Sequence, residues 1–192
     1  MSATRPLVVR GRVAALAMME KEDAGELALW HQNLEFTTLM GTPGEIHTRE
    51  MREEAFARGG RPRSDSVEFA VIGLESSELV GFGGLFDLSR AGTASMFVGI
   101  APERWGEGLG TEATRLLCCY GFFYLSLYSI RLQVHSYNVR GVRAYEKAGF
   151  KVVGKLRGYV LLDNKRYDEI LMDITRDEFD AGDLVPDGLR KL

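Results

Sequence analysis

The segment Trp105–Ala113, with the sequence WGEGLGTEA, limits the folds open to this chain more than any other part of it. It has glycine at every second position from Gly106 to Gly110, and it lies between a short apolar run, Phe97–Ile100, and a long helical pattern. Glycine adopts backbone angles that aim successive N–H groups at one point, and the helix that follows adds unpaired amides and the positive end of its dipole. A strand, a glycine loop and a helix in this order predict a site for a phosphate or pyrophosphate.

Two nucleotide-binding interpretations of this loop fit less well. Gly108–Ala113 matches GxGxxA, a variant of the dinucleotide fingerprint, but that fingerprint places an acidic residue about 20 positions further on. No Asp or Glu occurs between Glu112 and Glu146, and the triphosphate-binding pattern GxxxxGK[ST] is absent. A glycine-rich turn that binds no ligand is the remaining alternative.

A second motif, NVRGVRAYEKAGF at Asn138–Phe150, gives the loop a more specific meaning. Together with FVGIAPERWGEGLGTEA at Phe97–Ala113, it resembles the GNAT superfamily of acetyl-CoA-dependent N-acetyltransferases, in the branch of the ribosomal-protein N-terminal and spermidine acetyltransferases. The resemblance covers about residues 7–175, and the order and spacing of the two motifs are its most specific part. It implies an α/β (α+β) GNAT fold, in which a central mixed, mostly antiparallel sheet of about six to seven strands has helices on both faces and strands that splay at the cofactor site.

The apolar periodicity places the elements of such a domain along the chain. We expect one domain over residues 1–192, with a core at about 7–175, a polar loop at Gly60–Asp65 that we expect to be mobile, and a C-terminal tail at 176–192. The predicted strands are Arg10–Met18, Val67–Leu74, Leu79–Leu88, Thr93–Ile100, Ile130–Val134, Lys151–Leu156 and Arg166–Ile174. The predicted helices are Lys21–Asn33, Thr42–Arg58, Gly108–Tyr124 and Val139–Ala148.

The resemblance implies how coenzyme A is bound. The amides of the glycine loop would bind the pyrophosphate, and a bulged strand before the loop would offer its backbone to the pantetheine arm and the thioester. GNAT proteins usually begin the loop with Gln or Arg, whereas this chain has Trp105, so Arg104 is the candidate to supply the missing charge. The implied cofactor-binding residues are Val98, Gly99, Ile100, Trp105, Gly106, Glu107, Gly108, Leu109, Gly110, Thr111, Asn138 and Tyr145.

The resemblance also implies a general acid, Tyr145, which occupies the place of the family's tyrosine near the CoA sulfur. A phenol with a pKa near 10 can protonate a departing thiolate, although a packed aromatic ring is the alternative role. The base is less well defined, because many relatives have Glu at the position of Ser95, and serine is a poor base without a helper. The candidate bases are Glu35 and His135, with Asp87 and Glu103 as further options, unless the amine arrives neutral or loses its proton through water.

These features predict an N-acetyltransferase in which a primary amine attacks the thioester of acetyl-CoA directly. The acceptor is left open between a protein N-terminus, a polyamine and an amine-bearing antibiotic or metabolite. Because Ser95 replaces the usual Glu, a catalytically idle acyl-CoA-binding regulatory module is an alternative. Transfer of a longer acyl group is another, since Met96 and Phe97 would shape the acyl pocket.

The composition limits the classes of partner that we expect the chain to bind. A formal net charge of −3 gives no electrostatic footprint for nucleic acid, and the longest uncharged run, Leu116–Ile130, is shorter than the roughly 20 residues that span a bilayer. Adjacent Cys118 and Cys119 in an apolar helical pattern indicate buried thiols in a reducing compartment, and three scattered histidines indicate no metal site. We therefore expect a soluble, cytoplasmic protein that binds neither nucleic acid nor membrane. A homodimer is common among similar proteins, but no apolar stripe identifies an interface.

Overall fold

An eight-stranded sheet forms the centre of the computed structural model, which describes residues 5–59 and 65–184. The strands are β1 Leu7–Arg10, β2 Ala14–Met18, β3 Ser66–Gly73, β4 Leu79–Phe86, β5 Thr93–Ile100, β6 Ser129–His135, β7 Lys151–Leu162 and β8 Lys165–Thr175. They lie in the order β1-β2-β3-β4-β5-β6-β8-β7, and every pair of neighbours is antiparallel except β5 and β6. The predicted mixed, mostly antiparallel sheet is confirmed, with one strand more than expected.

The additional strand comes from the N-terminal segment. The sequence predicts one strand over Arg10–Met18, but the chain turns at Gly11 and forms the antiparallel pair β1 and β2. The carboxylate of Glu112 fixes this turn, because it accepts hydrogen bonds from the backbone N–H of Arg12 at 2.5 Å and of Val13 at 3.4 Å. A Cβ atom on Gly11 would collide with the same carboxylate. The turn thus depends on a residue about a hundred positions away in the sequence.

The described residues contain five helices: α1 Ala24–Trp30, α2 Leu34–Leu39, α3 Arg49–Gly59, α4 Leu109–Cys119 and α5 Val139–Ala148. The helix predicted over Lys21–Asn33 ends early, because the Asn33 side chain accepts a hydrogen bond from the Phe36 N–H at 3.0 Å and so begins a new helix. The helix predicted from Thr42 begins only at Arg49, since Gly44 has a left-handed backbone with φ of +79°. Most of the predicted loop at Gly60–Asp65, and the tail from residue 185, lie outside the described residues.

The two faces of the sheet carry different cores. Ala94, Met96 and Val98 of β5 pack with α4, whereas Phe97 packs with α1 and α2, as expected when successive side chains of a strand point to opposite faces. The α4 face also buries Cys118 and Cys119, and burial raises the pKa of the Cys119 thiol to about 11. Helices therefore cover both faces, as predicted. Across the described ranges, no helix combines the length and apolar character that crossing a bilayer would require.

The end of α4 differs from a regular helix. Tyr120–Tyr124 forms one wider π-helical turn, which takes up an extra residue and rotates the side chains that follow. Phe122 is consequently fully buried, whereas Phe123, which a regular helical pattern places inward, is only partly buried. Earlier in the helix, where the geometry is regular, Leu116 and Leu117 are fully buried.

A histidine is buried beneath α3. The His31 Nδ1–H donates to the Leu27 carbonyl at 2.8 Å, so the unprotonated Nε2 accepts a hydrogen bond from the guanidinium of Arg52. The ring also stacks on His47, with 4.7 Å between the ring centroids. Burial lowers the pKa of His31 to about 4, although the carboxylate of Glu45 acts in the opposite direction. The folded protein therefore holds this imidazole neutral.

The free energy of unfolding should decrease as pH falls from about 6.5 to about 4. The unfolded chain protonates His31 near pH 6.5 and the folded chain only near 4, so in this window protons favour the unfolded state, by on the order of 3 kcal/mol in total. Urea unfolding of wild type and His31→Gln should give a flatter pH dependence for the variant. Since Glu45 and His47 are present in both proteins, parallel curves would contradict this role of His31.

Candidate active site

The candidate site is a cleft that opens where β5 and β6 separate. The two strands pair only through Thr93–Ser95 and Ser129–Arg131, and beyond this point β5 continues to Ile100 without a strand partner on that side. The predicted splay is confirmed. The predicted bulge is wrong, because along β4 and β5, which the structure describes in full, the register runs without a shift from Ser95 to Ile100.

The mid-strand glycine of β5 permits a close approach of neighbouring side chains. A Cβ atom on Gly99 would lie 2.8 Å from the Phe82 ring and 3.1 Å from the Met40 sulfur. Glycine thus allows the end of α2 to pack directly on β5. The close approach, rather than a bulge, shapes this side of the cleft.

The glycine loop forms the next wall. Gly106 and Gly108 have φ of +90° and +81°, and a Cβ atom on either would meet no atom within 4 Å. These glycines are therefore needed for the backbone conformation and leave an open surface, not a packed interior. Gly108 precedes α4 directly, so the amides of the first helical turn have no acceptor within the helix. This wall has the properties of an anion-binding site.

The third wall is α5, and Asn138 attaches it to α2. The Asn138 side chain accepts a hydrogen bond from the Gly141 N–H at 2.8 Å, which caps α5, and donates one to the Leu39 carbonyl at 3.0 Å. A Cβ atom on Gly141 would lie 2.8 Å from the Asn138 amide nitrogen, so glycine makes room for the cap. The sequence predicts the cap and a cofactor contact; the structure adds the link to α2.

The cleft has a volume of about 610 Å³ and a cationic lining. All predicted cofactor-binding residues line it except Glu107, whose carboxylate instead accepts hydrogen bonds from Arg104 at 2.8 to 3.0 Å. The charge expected from Arg104 is thereby neutralised by its neighbour. None of the lining residues is acidic, and the basic ones are Arg104, Arg140, Arg143 and Lys147. Glycine amides, free cationic groups and this volume fit a ligand with several phosphates, such as CoA.

Sequence reasoning did not identify the basic residues of α5 as part of the site. Arg140, Arg143 and Lys147 are spaced i, i+3 and i+7, which places them along one face of the helix, together with the cleft. This spacing is visible in the sequence and is the signal that indicates a basic face on the helix.

Tyr145 lies on the same helix and is partly buried against the core around Phe150. Burial raises the pKa of Tyr145 to about 12, so the phenol keeps its proton at neutral pH. Its hydroxyl makes no hydrogen bond to the described part of the chain and so has a proton to offer to a ligand.

The two main candidate bases lie outside the cleft lining. Glu35 is exposed on α2, near enough to Arg140 to influence that guanidinium electrostatically. His135 forms a 2.6 Å hydrogen bond through Nδ1 with the Tyr137 hydroxyl, and its Nε2 lies 3.7 Å from the buried carboxylate of Glu169. Burial lowers the pKa of His135. Of the further options, Glu103 is exposed and does not line the cleft.

Asp87 is placed differently from the other candidates. The Ser95 hydroxyl donates to Asp87 Oδ2 at 3.3 Å and accepts from Arg131 Nε at 3.0 Å, at the start of the splay. These three residues line a second hollow of about 530 Å³, together with Asp173. The antiparallel pairing of Phe86 with Ser95 brings Asp87 there. Within the described residues, no group of three or more His, Cys, Asp or Glu side chains is arranged to hold a metal ion.

Comparison with known proteins agrees with this geometry. The family model for the acetyltransferase (GNAT) domain matches residues 15–151. An uncharacterized N-acetyltransferase, YokL, of a Bacillus subtilis prophage is 30% identical over 115 residues, which is 59% of this chain and 65% of the relative. The spermidine N(1)-acetyltransferase of Escherichia coli K12 is 34% identical over 87 residues, 45% of this chain and 47% of the relative. The matched part thus spans about half to two thirds of these relatives.

Solved structures show the same fold at low sequence identity. The spermidine N-acetyltransferase of Vibrio cholerae, in complex with CoA and spermine, has a TM-score of 0.78 at 22% identity and covers 86% of this chain and 96% of its own. A GNAT-family acetyltransferase from Bacillus anthracis has a TM-score of 0.76 at 19% identity, over 88% and 99% of the two chains.

Replacing Gly108 by alanine should weaken CoA binding by at least about tenfold, because a side chain in the open space of the loop obstructs a phosphate. The left-handed backbone should also cost about 1–2 kcal/mol of stability. Gly44→Ala is the matched control, since Gly44 has φ of +79° with nothing within 4 Å and lies outside the cleft lining. Isothermal titration with CoA and thermal unfolding should show similar destabilisation of both variants, and weaker binding of Gly108→Ala alone. Unchanged CoA affinity in Gly108→Ala would contradict the assignment of the loop.

Proposed function

The chain belongs to the GNAT family of acetyltransferases, which transfer an acetyl group to an amine, and from this premise we propose that it catalyses direct transfer from acetyl-CoA to a primary amine. The observation that carries the proposal is the cleft itself. One continuous surface joins the glycine loop, the unpaired edge of β5 and the hydroxyl-bearing face of α5. These are the three elements needed to hold a nucleotide, align a thioester and donate a proton.

Different parts of the cleft would bind different parts of the cofactor. The amides of Gly108, Leu109 and Gly110 would bind the pyrophosphate, and the backbone of Val98–Ile100 would pair with the pantetheine arm. Acetyl-CoA, when bound, supplies the acyl group as a thioester. The β5 edge would hold that thioester carbonyl in the gap between β5 and β6, where an amine can approach it.

Tyr145 is the general acid of the proposed reaction. As the amine nitrogen forms its bond to the acyl carbon, the carbon–sulfur bond breaks and the sulfur takes the phenolic proton. A phenol with a pKa of about 12 is a weak acid, but surroundings that exclude water also raise the pKa of a thiol. The two groups therefore remain close enough in basicity for proton transfer.

The Asp87–Ser95 pair is the proposed acceptor of the amine proton. Ser95 stands where many relatives have Glu, and the Asp87 carboxylate, which accepts a hydrogen bond from the Ser95 hydroxyl, would be the helper that serine needs. Arg131 donates to the same hydroxyl and so fixes its orientation. Asp87 and Asp173 outnumber Arg131 among the charged residues that line the hollow beside the splay, which gives it a net negative lining suited to a cationic amine. Because several relatives are named spermidine N-acetyltransferases, we propose a small polyamine-like acceptor first.

Tyr145→Phe should reduce kcat by about 10²- to 10⁴-fold and leave CoA affinity within about threefold, because only the proton donor is lost. Thiol release from acetyl-, propionyl- and succinyl-CoA, measured with spermidine, an aminoglycoside set and peptides with free N-termini, tests both activity and substrate class. Tyr128→Phe is the control, since Tyr128 is exposed and outside the cleft.

Three outcomes of this assay would overturn parts of the proposal. CoA binding without turnover of any amine would indicate a binding module instead of an enzyme. A preference for peptides would replace the polyamine assignment, and a preference for a longer acyl group would replace the acetyl assignment.

Asp87→Asn should lower kcat/KM by about 10- to 100-fold, because the carboxylate that assists Ser95 is removed. Glu35→Gln and His135→Gln should stay within about threefold of wild type, since neither side chain lines the cleft or the second hollow that contains Asp87. The pH dependence of kcat/KM with the best amine decides between them. If His135→Gln alone loses activity, His135 is the base, and its limb should then lie below pH 6.5, because burial lowers its pKa.

A further inference from the structure

We propose that Arg140, held against the ring of Trp105, binds the pyrophosphate of CoA in place of the Gln or Arg with which GNAT proteins usually begin the glycine loop. The identity of the ligand rests on the proposed function. The position of the arginine rests on contacts within this chain.

Trp105 is a fixed platform. Its indole N–H donates to the carbonyl of Ile100 at 2.8 Å, so the ring lies between the end of β5 and the start of the loop. The ring also packs against the apolar cluster that contains Leu27, Trp30 and Phe36. A side chain held by a hydrogen bond and by packing loses little further freedom when a ligand binds.

Arg140 is stacked on this platform. Its guanidinium carbon lies 3.6 Å from the centroid of the Trp105 ring, a close cation–π contact that bridges α5 and the loop. The stacked face is used by the ring, but the N–H groups at the edge of a guanidinium point outward in its plane. They are thereby presented to the cleft that both residues line.

These N–H groups have no competing partner in the described chain. Arg140 makes no hydrogen bond or ion pair with any residue in 5–59 or 65–184, and Glu35 acts on it only at a distance. Burial against the ring lowers the pKa of Arg140, but a guanidinium remains charged at every physiological pH. Arg104, by contrast, is bound to Glu107 by hydrogen bonds of 2.8 to 3.0 Å. Of the two arginines beside Trp105, only Arg140 has its full set of donors available, because Glu107 occupies Nε and Nη2 of Arg104.

A planar guanidinium suits a pyrophosphate better than a flexible ammonium, because its paired N–H groups match two phosphate oxygens. The tryptophan keeps this plane in one orientation next to the amides of the glycine loop. The chain thus replaces a charged residue in the loop by an aromatic residue that positions a charge from another helix.

Isothermal titration with three ligands tests this assignment without relying on turnover. CoA and 3′-dephospho-CoA both contain the pyrophosphate, and pantetheine contains no phosphate. Arg140→Ala should lower the affinity for both nucleotides by about 10- to 100-fold, as expected when a charge-assisted hydrogen bond is lost, and should leave the affinity for pantetheine unchanged. Arg140→Lys should recover only part of the affinity. Arg157→Ala, an exposed arginine on β7 outside the cleft, should match wild type.

A double-mutant cycle tests the part played by Trp105. Trp105→Gln introduces the residue usual in the family and removes the ring, so the effect of Arg140→Ala should shrink to less than about threefold in that background. Circular dichroism and thermal unfolding show whether each variant is folded. Additive effects of the two substitutions would overturn the positioning role of Trp105.

The remaining outcomes separate this inference from the proposed function. Wild-type affinity in Arg140→Ala would overturn the inference and leave the acetyltransferase assignment intact. If Arg140→Ala weakens binding of CoA but not of 3′-dephospho-CoA, Arg140 contacts the 3′-phosphate and not the pyrophosphate, and this result would also overturn the inference. Failure of the wild-type protein to bind CoA would instead overturn the proposed function.

Discussion

The short parallel contact between β5 and β6 determines the geometry of the candidate site, because the cleft opens where the two strands separate. The two strands share only Thr93–Ser95 and Ser129–Arg131, after which β5 stays with β4 and β6 stays with β8. A sheet that divides in this way leaves backbone groups without a strand partner at its centre, where they would be costly unless water or a ligand reaches them. The splay therefore provides both the opening for a ligand and the hydrogen-bonding edge that such a ligand can use.

The charge of the site illustrates how a chain with a net charge of −3 can have a cationic cleft. The basic residues are concentrated on α5 and beside the glycine loop, and the acidic residues Asp87 and Asp173 line the other hollow. Over distances of about 10 Å, the local arrangement of charges outweighs the net charge at physiological salt. The total charge of this chain thus excludes little about small ligands, although it argues against an extended anionic partner.

The sequence predicted those parts of the fold whose signals are local. The helix α5 begins and ends where expected because Asn138 caps it and Gly149, with φ of +105°, ends it. The strand β5 was also predicted with its observed bounds. The sequence does not indicate the turn at Gly11, because Glu112 on a distant helix fixes it. The short helix α2 does begin at a local signal, the Asn33 cap, but this residue is the last one of the range predicted as a single first helix. In the site, the glycine loop was readable from spacing, whereas the contacts of Asp87 and of Arg140 depend on strand pairing and on helix packing.

Two hydrogen bonds attach the end of α2 to the start of α5, the helix that carries the proposed general acid. The Tyr137 hydroxyl donates to the Thr38 carbonyl at 2.8 Å, and the Asn138 amide donates to the Leu39 carbonyl at 3.0 Å. Both donors lie where β6 passes into α5. The end of α2 therefore cannot move without breaking these hydrogen bonds or displacing the start of the helix that carries Tyr145. Phe36 and Met40 of the same segment line the cleft, with Met40 packed near Gly99. A displacement at the end of α2 would therefore change both a wall of the cleft and the start of α5, so a ligand that contacts this segment should be energetically coupled to a ligand in the cleft.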